Sequence, residues 1–159
     1  MKNIRTTLAV TAALLFGQVA FAGDTPPPID FGPRQTLTVI SGDQTHEFSV
    51  EVADSQVERD RGLMFRDVIE PGQGMLFEFE TNSVAGIWMK NTAIFLDVIF
   101  VDKDGRIVKI EHSAQPYKER SISSELPVTA VLEIGGGQAR SMEIKPGDQV
   151  VHDFFKPSQ

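Results

Sequence analysis

The chain has no cysteine, one tryptophan and one tyrosine. Absent thiols exclude a disulfide scaffold, a thiolate nucleophile, an iron–sulfur cluster and a cysteine-based zinc site. Excess positive charge is missing too. A formal charge of −7 offers no basic footprint to neutralise phosphates, so no nucleic-acid partner is expected. Beyond the first residues no apolar run is long enough to span a bilayer. Catalytic motifs are scarce. There is no Gly-x-Ser-x-Gly elbow, and the glycines match neither a Walker loop nor a dinucleotide fingerprint. His46, His112 and His152 lack metal-ligand spacing. No metal, no cofactor and no ready-made catalytic residue are therefore expected.

What is present begins with a three-part N-terminus. Lys2 and Arg5 precede an uncharged apolar run over residues 8–16, and Ala20-Phe21-Ala22 closes it. Positive start, apolar core and Ala-x-Ala end describe a secretory signal. Gly17 and Gln18 interrupt the run, whereas a spanning helix needs about 20 apolar residues. The expectation is cleavage after Ala22, giving a periplasmic or secreted protein without a stable membrane span. That leaves 137 residues, and losing Lys2 and Arg5 takes the charge from −7 to −9. Residues 23–35 hold four of the nine prolines and read as an extended tether. Residues 36–155 are then one β-rich domain, large enough to be stabilised by its core.

Strand signals dominate that domain. Residues 36–40 and 45–52 flank Ser41-Gly42-Asp43-Gln44, a hairpin pattern. Residues 75–80 alternate, with Met75, Phe77 and Phe79 on one face. Residues 87–91 and 94–101 are further strand candidates. Asp102-Lys103-Asp104-Gly105 turns the chain into a strand over 106–112, and 128–134 and 149–154 complete the set. Asp54 is placed to cap a short helix over 55–61 that Gly62 ends, and a second helix is expected over 138–143. The sum is a mainly β (α+β) fold: a compact antiparallel sheet or partly closed barrel with one or two short helices.

Three segments carry more than core and turn. They are Arg61-Gly62-Leu63-Met64 with Gly74-Met75-Leu76-Phe77, Trp88-Met89-Lys90-Asn91-Thr92 with Leu96-Asp97, and Leu132-Glu133 with the later Gly147-Asp148. In this order, from about Phe48 to Val151, they resemble the small prokaryotic family known as domain of unknown function 192. Ile87 departs from it, since many members place an aromatic before the tryptophan. The resemblance implies a small, often exported β-rich domain. It implies no activity, substrate or catalytic residue.

Function must therefore be read from the residues. Asp97 interrupts the apolar run 94–101, and burying an unpaired carboxylate costs several kcal/mol. It either fixes a polar ligand together with Lys90 and an arginine, or it pins the fold through a buried ion pair. On a strand Trp88 and Lys90 would share a face, and with Asn91 they could form a stacking and hydrogen-bonding platform for a sugar or an anion. A core tryptophan with an outward lysine is the plainer alternative. Arg61 suits a carboxylate or phosphate, or merely offsets a helix dipole, and Arg66 reads as a solvated surface residue. Gly135-Gly136-Gly137 is either an anion cradle or a tight turn into a helix.

The leading expectation is an exported domain that binds a small polar or anionic ligand through Arg61, Met64, Trp88, Lys90, Asn91 and Asp97. The rivals are an acid–base hydrolase using Asp97 with Glu133 or His112, and an envelope protein-interaction module.

Overall fold

The computed structural model describes residues 26–155. The expected signal segment and the first residues of the tether lie outside them. Residues 26–34 form no regular element, yet Phe31 packs against the domain beneath the Arg66 guanidinium. Arg66 also contacts Glu51 at 2.5 Å, so it is engaged rather than simply solvated.

Seven strands build one sheet: β1 Gln35–Ser41, β2 Gln44–Ala53, β3 Gln73–Ile87, β4 Leu96–Val101, β5 Ile107–Ala114, β6 Ile122–Gly135 and β7 Gln149–Val151. Their spatial order is β5-β4-β6-β3-β2-β1-β7. Every pair is antiparallel except β2–β3, which runs parallel. A parallel pair needs a crossover rather than a hairpin, and residues 54–72 supply one through helix α1, Gln56–Arg61. The outer strands bend towards each other, and Arg106 and Gln149 form a bridge between the two ends. The mainly β class and the partly closed barrel are thus both present, as a curled half-barrel with two short helices.

The helix α1 is capped by Ser55, not Asp54. Ser55 and Glu58 close a reciprocal capping box, and Gly62 ends the helix. The second helix, α2, is shorter than its sequence pattern suggests, at Gln138–Ser141. Residues 88–91 are not a strand, because β3 stops at Ile87. Conversely β3 and β6 each extend well beyond the segments that alternate cleanly. Two register shifts interrupt their pairing, and such bulges blur a two-residue period.

Both faces of the sheet are covered. One apolar cluster draws residues from all seven strands, among them Leu37, Phe48, Leu76, Ile99, Ile107, Leu132 and Val150. It is the interior of the half-barrel, and α2 closes it with Ala139. The other cluster, around Met75, Phe77, Val98, Phe100 and Val131, is covered by Leu63 and Met89 from two connecting segments. Burial on both faces explains why 96–101 reads as an unbroken apolar run.

Candidate functional site

Asp97 resolves first. It is fully buried, and its neighbour across the β4–β6 pair is Ile134. One carboxylate oxygen accepts the Ser113 N–H at 2.8 Å and the Gly137 N–H at 3.0 Å. The other accepts the Ala139 N–H at 2.8 Å. The triple glycine is therefore a turn into α2, and the anion its amides meet is the chain's own Asp97. Gly137 adopts φ 87°, a left-handed conformation that glycine enters without strain. No lysine or arginine reaches Asp97 among the described residues.

The Asp97–Glu133 pair does not form. Glu133 faces Val98 across β4–β6 and Met75 across β3–β6, while Asp97 faces Ile134. Successive residues of a strand point to opposite faces, so the two carboxyls lie on opposite sides of the sheet. His112 comes closer to Asp97, with Nδ1 3.9 Å from Oδ1, but that separation exceeds a hydrogen bond. His112 lines a separate depression of about 500 Å³ whose lining does not include Asp97.

Glu133 opens instead into a cavity of about 780 Å³. Its wall combines Leu63, Met64, Phe77, Phe79 and Trp88 with Arg59, Asp60, Arg61, Glu80 and Thr92. Three predicted site residues, Arg61, Met64 and Trp88, thus line one space. Lys90 and Asn91 border it from outside: the Lys90 ammonium lies 5.7 Å from the centre of the Trp88 ring, and the Asn91 amide lies 3.9 Å from the Met64 sulfur. Asp97 does not reach it.

Local structure explains how these side chains meet. Gly62 ends α1 and throws Leu63 inward beside Met64. The Phe65 N–H then bonds the Asn91 carbonyl at 2.8 Å, joining the segment after α1 to that after β3. The Met89 N–H reaches the Lys118 carbonyl at 2.8 Å, and the Tyr117 N–H the Thr92 carbonyl at 3.2 Å. Phe65, Asn91 and Tyr117 all hold positive φ, at 63°, 53° and 60°. Such strain in non-glycine residues persists only where the surroundings enforce it, and it gathers at functional sites.

The cavity's charges are unequally engaged. Arg59 donates to the Asp54 and Glu78 carbonyls, so it is occupied by the fold. Arg61 has no acid partner among the described residues, and its guanidinium stacks over Phe65 at 5.5 Å. Glu133 is only 4% exposed. No hydrogen bond or ion pair among the described residues reaches its carboxyl, and burial pushes its pKa up to about 8. Trp88 is 51% exposed, which is unusual for the sole tryptophan of a small domain. In the sequence alone Glu133 reads as a surface carboxylate or a second buried one, a partner for Asp97 at most. Its signal was an acid between Leu132 and Ile134, in a strand apolar on both faces. Phe77 and Phe79 looked like ordinary core, and only the fold places them on a cavity wall. No group of three or more His, Asp or Glu among the described residues could hold a metal ion.

Comparison with known proteins matches residues 37–152 to the model of a family, DUF192, described as uncharacterized ACR. A crystal structure of a protein of unknown function from Novosphingobium aromaticivorans is 40% identical. It covers 75% of this chain and 85% of its own, with a TM-score of 0.73. A second, from Sinorhizobium meliloti and described as a proposed transcription regulator, is 34% identical. It covers 79% of this chain and 97% of its own, with a TM-score of 0.75. No curated protein matches the chain.

Proposed function

This chain belongs to the DUF192 family, a family of unknown function, and on that premise we propose that it is an exported domain that binds a small polar or anionic ligand in the cavity between α1, β3 and β6. One observation carries the reading. A cavity of about 780 Å³, within the range of small-molecule sites, brings together a cation without an acid partner, a half-exposed tryptophan and a buried carboxyl without a partner. Each of these groups is costly or idle in the unliganded fold, and each gains a partner when a ligand enters. Arg61 suits a carboxylate or phosphate. The Trp88 face suits an apolar or sugar ring, and Lys90 and Asn91 can bond its polar edge.

Export rests on the N-terminal pattern: Lys2 and Arg5, the apolar run and Ala20-Phe21-Ala22. The description of the Sinorhizobium protein is not carried over, because a formal charge of −7 gives no footprint for nucleic acid.

A thermal-shift screen of sugars, nucleotides and carboxylates tests the binding. At least one class is expected to raise the wild-type Tm, and Arg61→Ala and Trp88→Ala to abolish most of that rise. If nothing stabilises the wild type, the reading fails. N-terminal sequencing of protein recovered outside the cytoplasm tests the export, with Gly23 expected as the first residue.

A further inference from the structure

We propose that Glu133 acts in this cavity as a neutral hydrogen-bond donor, so that the ligand is an apolar-bodied carboxylate whose oxygen accepts the Glu133 proton while Arg61 balances its charge. This deepens the ligand-binding reading and rests on it.

The placement comes from the sheet. Glu133 lies near the C-terminal end of β6, between β3 and β4, where its nearest same-face neighbours are Met75, Val98 and Val131. None of these can donate or accept a conventional hydrogen bond. The charged groups lining the same space are Arg59, Asp60 and Arg61 from α1 and Glu80 from β3. The uncharged polar lining is Gln56 from α1, Thr81 from β3, Trp88 and Thr92 from the segment after β3, and Ser121. None of them bonds the Glu133 carboxyl. A fold that leaves an acid without a cation keeps it neutral by holding its proton, and its pKa of about 8 is consistent with that state at pH 7. A neutral carboxyl donates one hydrogen and seeks an acceptor. The lining supplies apolar surface for the ligand body and, in Arg61, one cation without an acid partner for a negative head group. An amine ligand would instead require Glu133 to lose its proton.

Calorimetric titration with phenylacetate, octanoate and the isosteric amine of each, over pH 6–9, tests this. The carboxylates are expected to bind the wild type with proton uptake, and to weaken about tenfold between pH 7 and pH 9 as Glu133 ionises. The Glu133→Gln variant keeps an N–H donor and nearly the same volume. It is expected to bind the carboxylates with that pH dependence removed, and Glu133→Leu to bind them at least tenfold more weakly. Circular dichroism establishes that both variants are folded. Stronger binding of the amines, tightening as pH rises through 8, overturns the proposal while sparing the ligand-binding reading. So does carboxylate binding whose pH profile is unchanged in Glu133→Gln. If neither series binds, and the wider screen also finds nothing, both proposals fall together.

Discussion

At the scale of the residue, two acids one register position apart on paired strands have opposite fates. Asp97 is buried and saturated by three backbone N–H groups. Removing its carboxylate in Asp97→Ala orphans those donors, each worth about 1–3 kcal/mol when buried and unmade. The expected loss is at least about 3 kcal/mol in urea unfolding, with Asp97→Asn falling between the two. Glu133 is buried without any partner, and the consequence is a pH dependence of opposite origin. Its pKa rises from an ordinary 4.5 to about 8 on folding. Below 4.5 the acid is protonated in both states and adds no pH dependence. As pH rises towards 8 the unfolded chain releases the proton and the folded chain keeps it, so stability falls with pH, and above 8 the loss is complete. The wild type is expected to lose on the order of 4 kcal/mol relative to Glu133→Gln between pH 4 and pH 9. Denaturant curves of both proteins across that window check the sign and the size. The sequence made both acids conspicuous by their apolar neighbours. It could not say which face each would take, because β4 and β6 are apolar on both.

At the scale of the element, the short helix α1 is where sequence pattern and structure agree most closely and where the cavity is most exposed to change. Its six residues are too few to be stable alone. The Ser55–Glu58 capping box and the Gly62 terminus hold it, and Arg61, Met64 and Leu63 follow from where it stops. Gly62 has φ 47° and ψ −137°, a region closed to other residues, and an added Cβ would lie 3.0 Å from Phe77. Gly62→Ala is therefore expected to cost about 2 kcal/mol, against about 1 kcal/mol for Ser55→Ala. Urea unfolding at fixed pH compares the two, and equal costs would mean that the helix terminus is not strained. The neighbouring segment was misread for a physical reason. Residues 87–91 have the composition of a strand, but the Thr92 hydroxyl bonds the Lys90 carbonyl and Asn91 turns to positive φ, so the chain loops around Trp88. Local turn chemistry of this kind leaves little trace in a two-residue period.

At the scale of the whole molecule, a domain without a disulfide must hold its sheet by packing and by closure. The strand set, the hairpin at Gly42 and the Asp102–Gly105 turn were legible, because each is a local pattern. The strand order, the parallel β2–β3 pair and the meeting of the sheet's ends were not, because they depend on contacts far apart in sequence. That meeting is a seam of three backbone bonds. The Val150 N–H reaches the Gly105 carbonyl at 2.7 Å, the Ile107 N–H the Asp148 carbonyl at 2.9 Å, and the Gly147 N–H the Ile107 carbonyl at 2.8 Å. An open sheet edge exchanges its amide hydrogens readily, whereas a closed seam opens only with the surrounding structure. The Val150 and Ile107 amides are therefore expected to exchange as slowly as that of Leu132 in the centre of the sheet. Gly105 is the point of closest approach. It holds φ 77°, and a Cβ there would stand 2.6 Å from both the Val150 carbonyl oxygen and the Gln149 side-chain nitrogen. Gly105→Ala should part the seam and speed exchange at Val150 and Ile107 by about a hundredfold, leaving Leu132 nearly unchanged. If all three amides accelerate together, the seam is part of the global cooperative unit. If none does, the two ends of the sheet are held by side-chain packing rather than by these bonds.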